Sequence, residues 1–467
     1  MLVKTVTTVV TTDSTGKPVD AIPVRNAVAG ETDAAGRPVT PIPVTEDPSG
    51  VPVRVVVGKA AQNSAGQWVD TLPISGGVPA PTQRQLIASF TSVPNLAPIT
   101  MNSGGSYTVN QMRVGHDVGR ANCRNIRIQD VQFRVNPGAG TELSTPVATS
   151  TWRRALEIGS TTYVATYDGG AATKDLVAGG LIETDTIPTA VAAANSRIFV
   201  RGVRTVVDPT TGQINGVNMN GPASQGFRTV GGNQIAGNGS MNNSGSGGGN
   251  AVWPYLITGI PDIPMACGKV VGDSIGQYLN DTNTSTTGGF IKRGLQNVNG
   301  EVIPWQFQGV DANKMQLQTP TNAPLQQQGL ELLTFVIMQC ITNDINASRT
   351  LAQVKADFIE ISTRVKTTIG PYGLPVLMIG LACLNRGPFT GAQNVVKNDY
   401  NDWLAAGADG YCDVYIDLRP YQGDTALYAD GIHPRSADHI AMATPFAAAM
   451  VPMLDPYYRP PGYISLV

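Results

Sequence analysis

The spacing of apolar and polar positions changes twice along the chain, and each of the three spacings predicts a different kind of structure. Over residues 1–79 short Val/Ile/Pro segments are separated by Asp/Asn-x-x-Gly turns in an imperfect repeat. TDSTGKPVDAIPV starts at Thr12, TDAAGRPVTPIPV at Thr32, EDPSGVPVRVVV at Glu46 and QNSAGQWVDTLPI at Gln62. Glycine supplies the positive φ of such turns, and proline favours extended or edge strands. No copy holds enough apolar area for its own core, so the repeat predicts an arm that stacks on neighbours or lies on a partner. A flexible linker is the other reading of the same residues.

Over residues 80–262 the period is two, as in NIRIQDVQFRV (Asn125–Val135), TTYVATYDGG (Thr161–Gly170) and SRIFVRGVRTVVD (Ser196–Asp208). Alternation bounded by turn residues predicts an antiparallel β-sandwich, jelly-roll-like in texture. The low-complexity run Gly231–Asn250 predicts a long, mobile surface loop.

From residue 263 onward continuous apolar runs replace the alternation. GKVVGDS, Leu332–Gln339, Leu374–Ala382 and Tyr411–Leu418 read as buried strands. Leu351, Val354, Phe358, Ile361 and Val365 recur at helical spacing, with Gly370-Pro371 as the expected stop. Ser436 is placed to cap a last helix through HIAMATPFAAAMV. Apolar strands alternating with amphipathic helices predict a parallel sheet covered on both faces. The expected fold is therefore multidomain: a β-repeat arm at 1–79, a sandwich at 80–262 and a three-layer α/β/α domain at 263–467.

Composition narrows the partners. Glycine (52) and proline (33) make up about 18% of the chain, against roughly 12% in an average protein. Charged residues are 14% and the net charge is −2, which excludes a coiled coil and a charge-driven disordered tail. The missing basic stripe argues against nucleic-acid binding. No apolar run approaches the ~18 residues that span a bilayer, and MLVKTVTTVVTT is too rich in threonine for a signal peptide. The expectation is a protein made in a cytoplasm, with no membrane partner. Five cysteines without a CxxC spacing (Cys123, Cys267, Cys340, Cys383, Cys412) predict buried free thiols.

Only three histidines exist, His116, His433 and His439. A serine hydrolase needs a base of near-neutral pKa, and histidine is the usual one. In Asp430-Gly-Ile-His433 the carboxylate stands three residues before the imidazole, close enough on a tight turn to fix its tautomer. Ser274, in Val-Val-Gly-Asp-Ser-Ile-Gly, follows an apolar strand at the end where open α/β sheets bind ligands. GDSIG also fits the G-x-S-x-G nucleophile pattern. Asn343, in Cys-Ile-Thr-Asn-Asp-Ile, is positioned to aim its amide at a developing oxyanion. Each motif alone is also compatible with an ordinary surface turn. His116 and His439 read as structural, and Trp305 and Trp403 as either core residues or the lining of a sugar cleft.

The order GDSI, TND, DGIHPRSADHIAMA over residues 264–455 resembles the SGNH (GDSL-type) esterase and acetylhydrolase family. The resemblance implies a flavodoxin-like parallel sheet and a cofactor-free, metal-free serine esterase. It makes Ser274 the nucleophile, His433 the base and Asp430 its partner. The oxyanion hole then comprises the Ser274 N–H, Asn343 and the second block, Phe307-Gln-Gly-Val-Asp-Ala312. There Gly309 matches the first glycine, while Ala312 stands where the donor glycine is expected. A backbone donor tolerates alanine there if φ is negative. Ile341 and Asp438 are further departures from the family pattern.

An acetylated polysaccharide is the substrate that the resemblance suggests. The sandwich resembles those preceding some SGNH hydrolases, and the repeat arm resembles attachment segments of bacteriophage virion proteins. That implies virion or other assembly proteins as partners of residues 1–79, in a homo-oligomer. Two further function classes compete with the esterase. One is a structural virion protein that keeps an esterase fold. The other is a carbohydrate-binding module using Trp152 and Trp253.

Overall fold

The computed structural model describes Val6–Thr7, Pro23–Val24 and residues 83–466 apart from 93–98, 101–106, 137–139, 144–148, 207–212, 215–224, 230–232, 242–246, 249–252, 278–280, 282–287, 310, 388, 461–462 and 465. Contacts along the chain fall into two groups, Met1–Pro79 and Ala80–Val467. In the first, Val6–Thr7 pairs antiparallel with Pro23–Val24. The Asp/Asn-x-x-Gly turns of the repeat lie outside the described residues.

In the second group, alternation produces two antiparallel sheets. Strands 150–158, 197–206 and 109–117 are the centre of a seven-stranded sheet, and 123–131 and 256–261 the centre of a four-stranded one. Their apolar faces meet through Leu156, Ile198 and Val200 on one side and Ile126, Ile128 and Ile257 on the other. Several buried charges in this layer are paired. Arg154 Nε donates to Asp130 at 2.8 Å, and Glu157 accepts from Arg113 Nε at 3.0 Å and Arg201 Nε at 2.9 Å. His116 is fully buried against the Ser89 carbonyl (3.1 Å), and burial pushes its pKa down to about 3. It is a structural histidine.

The described part of the low-complexity run departs from the expected mobile loop. Ile235 and Met241 are buried, Arg201 donates to the Gln234 carbonyl at 3.0 Å, and Gly247–Gly248 joins the sheet edge. The two apolar residues and one buried cation anchor a segment whose composition alone points to mobility.

Six further strands form a parallel sheet: β1 (Thr91–Ser92), β2 (Gly268–Gly272), β3 (Trp305–Gly309), β4 (Phe335–Met338), β5 (Leu377–Leu381) and β6 (Val414–Ile416), in the order β6-β5-β4-β2-β3-β1. From β2 onward this is the flavodoxin-like order, with β1 added at one edge. The strands are apolar on both sides because both faces are covered. Val336 and Met338 face a core with Val354, Phe358 and Ile361 of helix α4 (Leu351–Lys366). Phe335 and Ile337 face a core with Phe290 of α2 (Phe290–Leu295) and Phe446 of α6 (Ser436–Met450). The α2–α6 approach is close: a Cβ on Gly294 would stand 2.3 Å from the Phe446 ring.

Helix α4 starts where a Thr350 cap and Gln353 satisfy each other's backbone N–H groups, at 3.3 and 2.9 Å. It ends at Lys366, before the expected Gly-Pro stop, where Thr367 and Thr368 hydroxyls take the Thr363 and Arg364 carbonyls at 2.7 and 2.8 Å. Ser436 is not the cap of α6. Arg435 holds that position, its N–H donating to Asp438 at 3.1 Å, while the Ser436 hydroxyl donates to Asp281 at 2.7 Å. The Asp438 departure is thus a helix-start acceptor.

All five cysteines are free and buried. Trp152, Trp253, Trp305 and Trp403 are all buried, so they form neither a sugar cleft nor a binding platform. Among the described residues no helix is long and apolar enough to cross a membrane.

Candidate active site

Strand β2 leads through Asp273 into α1 (Ser274–Gln277), which places Ser274 at the carboxyl edge of the sheet. The turn is held from beneath by Gln339, at the end of β4. Its Oε1 accepts from the Asp273 and Gly276 N–H groups, both at 3.1 Å, and its Nε2 donates to Asp273 Oδ1 at 3.0 Å. Gly276 is required by this approach, since a Cβ there would stand 2.5 Å from Gln339 Oε1. Asp273 is fully buried, and burial pushes its carboxyl up to about 6, against the hydrogen bonds from Gln339 and the Ile275 N–H.

His433 comes from the loop before α6. Gly431, at φ +70°, lets this loop turn sharply, so that Asp430 Oδ1 accepts from the N–H groups of Ile432 and His433, both at 2.9 Å. The other oxygen, Oδ2, is 2.6 Å from His433 Nδ1, and His433 Nε2 is 2.7 Å from Ser274 Oγ. One serine, one imidazole and one carboxylate thus stand in hydrogen-bonded series, with Ser274 7% and His433 9% exposed. Burial opposes the Asp430 charge. The His433 N–H, the ring and the Ile432 N–H outweigh it and hold the carboxyl well below the usual carboxylate range.

Asn343 lies in α3 (Thr342–Asn346), and its Nδ2 donates to the Asn313 carbonyl at 3.0 Å. Asn313 is itself fully buried, and its Nδ2 donates to the Gly272 carbonyl at 2.9 Å. Asp344, the next residue of the TND motif, accepts from the Met315 N–H at 2.7 Å. Two consecutive residues of α3 therefore clamp the loop that carries the second block. Gly309 ends β3 beside Gly272, where a Cβ would stand 2.4 Å from the Phe307 ring. Ala312 has φ +58°, not the negative φ that alanine prefers. The loop keeps the left-handed turn that a glycine would make, and alanine is held in it by the Asn313 anchors.

The structure thus joins Ser274, His433 and Asp430 by direct contacts and connects Asn343 to them through Asn313 and Gly272. Asn313 and Gln339 carry no motif. The only sequence signal for Gln339 is a lone polar side chain closing an apolar strand.

No family model matches the chain, and a search of the curated proteins gives no match. Several solved structures are similar at low identity. A carbohydrate acetylesterase, Est24 from Sinorhizobium meliloti, is 17% identical, over 39% of this chain and 96% of that one, with a TM-score of 0.31. The aryl esterase of M. smegmatis is also 17% identical, over 39% and 97%, with a TM-score of 0.31. A family two carbohydrate esterase from Clostridium thermocellum is 9% identical, over 76% and 98%, with a TM-score of 0.32.

Proposed function

We propose that the chain is a serine carboxylic-ester hydrolase that removes O-acetyl or similarly short acyl groups from a polysaccharide. The observation that carries this reading is the series Ser274 Oγ, His433, Asp430, at 2.7 and 2.6 Å. Ser274 attacks the ester carbonyl while His433 Nε2 takes its proton. Asp430, kept ionised by its hydrogen bonds, fixes the tautomer and stabilises the imidazolium. The oxyanion is received by the Ser274 and Ala312 N–H groups and the Asn343 amide. The imidazolium then protonates the departing alcohol, and water activated by the same base clears the acyl-enzyme. The polysaccharide rests on the family resemblance of the three motifs.

Residues 1–79, by their repeats, are proposed to attach the enzyme to an assembly such as a viral particle. The experiment that tests the activity is hydrolysis of 4-nitrophenyl acetate by the wild type and by Ser274→Ala, with equal folding checked by circular dichroism. Turnover lost in the mutant supports the esterase. A wild type that neither turns over nor is labelled at Ser274 by a phosphonate ester would leave the fold a structural role only.

A further inference from the structure

Arg386 lies in the loop between β5 and helix α5 (Gly391–Ala405), and it is only 8% exposed. Among the described residues its guanidinium makes no hydrogen bond and no ion pair, and its Nε is buried without an acceptor. It stands over the Phe389 ring, whose centroid is 4.9 Å from Cζ. An arginine presents five N–H donors and a permanent charge. Burying Nε without an acceptor costs free energy, which a ligand carrying acceptors would recover.

The loop is fixed in place beside the catalytic turn. Gly387 N–H donates to the Gly431 carbonyl at 2.8 Å, between Asp430 and His433. Asn385 N–H donates to Gln422 Oε1 at 2.8 Å, Gln422 Nε2 returns a bond to the Asn385 carbonyl at 2.6 Å, and Lys397 donates to Asn385 Oδ1 at 2.6 Å. Burial works against the Arg386 charge, and Cys383, Asp273 and Asp430 are near enough to favour it. Asp273 immediately precedes the nucleophile and Asp430 orients the base, so the guanidinium stands near both halves of the Ser274–His433 pair. Phe389 covers one face of the guanidinium.

We infer that Arg386 is the specificity-determining residue of an anionic subsite, where it binds a carboxylate carried by the ester substrate. The inference rests on the esterase reading above. A bidentate guanidinium–carboxylate pair selects charge and geometry together, which a lysine at the same place does only in part.

The test is a ratio of kcat/KM values between matched charged and neutral esters, in two arms. One compares 4-nitrophenyl hydrogen succinate with 4-nitrophenyl butyrate, which places the carboxylate on the acyl side. The other compares O-acetylated galacturonic acid with O-acetylated galactose, which places it on the alcohol side. The wild type is expected to prefer the charged ester in one arm, and Arg386→Gln to lower that ratio by about tenfold or more. Arg386→Lys is expected to keep part of it. Equal ratios in wild type and R386Q, or an equal loss on both members of a pair, would overturn the inference. If the wild type hydrolyses none of the four esters, phosphonate labelling of Ser274 decides the esterase reading by itself. Thermal unfolding with galacturonate and with succinate then decides the subsite. A midpoint raised in wild type and not in R386Q supports it, and no rise in either overturns it.

Discussion

The side-chain amide of Asn343 is hydrogen-bonded to the backbone carbonyl of Asn313 at 3.0 Å. The residue expected to hold an oxyanion therefore also anchors the loop on which Ala312 is presented. Removing it should cost more than one donor: Asn343→Ala loses the amide and releases the loop. A fall in kcat of at least roughly 100- to 1,000-fold on 4-nitrophenyl acetate is expected, the range for one oxyanion-hole donor being the floor. A loss under about threefold would remove Asn343 from the oxyanion hole.

Ala312 occupies left-handed backbone at φ +58°. For an L-residue that conformation costs roughly 1–2 kcal/mol, and glycine's extra freedom in the unfolded chain costs about 0.4–1 kcal/mol. The strain term is the larger, so Ala312→Gly should stabilise the protein by up to about 1.6 kcal/mol, and Ala312→Val should destabilise it. Denaturant midpoints at an unchanged slope would report both. A destabilised glycine variant would mean that the alanine methyl makes a contact worth more than the strain.

Gly276 and Gln339 act as one unit, because the Gln339 carbonyl oxygen occupies the space a Cβ would need. Gly276→Ala must displace the brace, and Gln339→Ala removes it. Each should lower kcat by loosening the Ser274 turn, and the double variant should be no worse than the poorer single one. Additive losses in this cycle would show that the two act independently.

The three motifs that supply the proposed site residues were legible in the sequence because each is a short, contiguous string at a strand end or a tight turn. The sandwich was legible in its alternation, and the buried strands in their unbroken apolar runs. What stayed hidden were bonds between distant segments. Asn313 reaches Gly272 and Gln339 reaches Asp273 by side-chain contacts to residues 41 and 66 positions away, and no local spacing encodes such a partner. Thr91–Ser92 joins the parallel sheet as a two-residue strand, too short for any periodicity. The positive φ of Ala312 was hidden for a different reason: propensity argues against it, and surrounding hydrogen bonds override propensity.

Contacts within the chain separate Met1–Pro79 from Ala80–Val467. A chain beginning at Ala80 should therefore keep its thermal midpoint and its kcat while losing any higher assembly state of the full-length protein. Light scattering and 4-nitrophenyl acetate turnover on the two chains would decide it. A truncated chain that does not fold would refute the attachment role, because residues 1–79 would then be part of the folding unit.

Asp273 links the site to pH. Its carboxyl is raised to about 6 in the folded protein, chiefly by burial, from about 3.9 in an unfolded chain. Between those values the folded state holds a proton that the unfolded state has lost, so this group makes stability fall as pH rises from about 4 to about 6. Above 6 both states are ionised and the loss is complete. Asp273→Asn removes the titration and keeps an oxygen for the Ile275 N–H and Gln339 Nε2, which bond Oδ1 at 2.9 and 3.0 Å. The variant should match the wild type near pH 4, gain on it progressively to pH 6 and hold a constant advantage above that. Unfolding midpoints from pH 4 to 8 would trace the difference. A flat difference across the window would mean that Asp273 titrates no differently in the folded and unfolded chains.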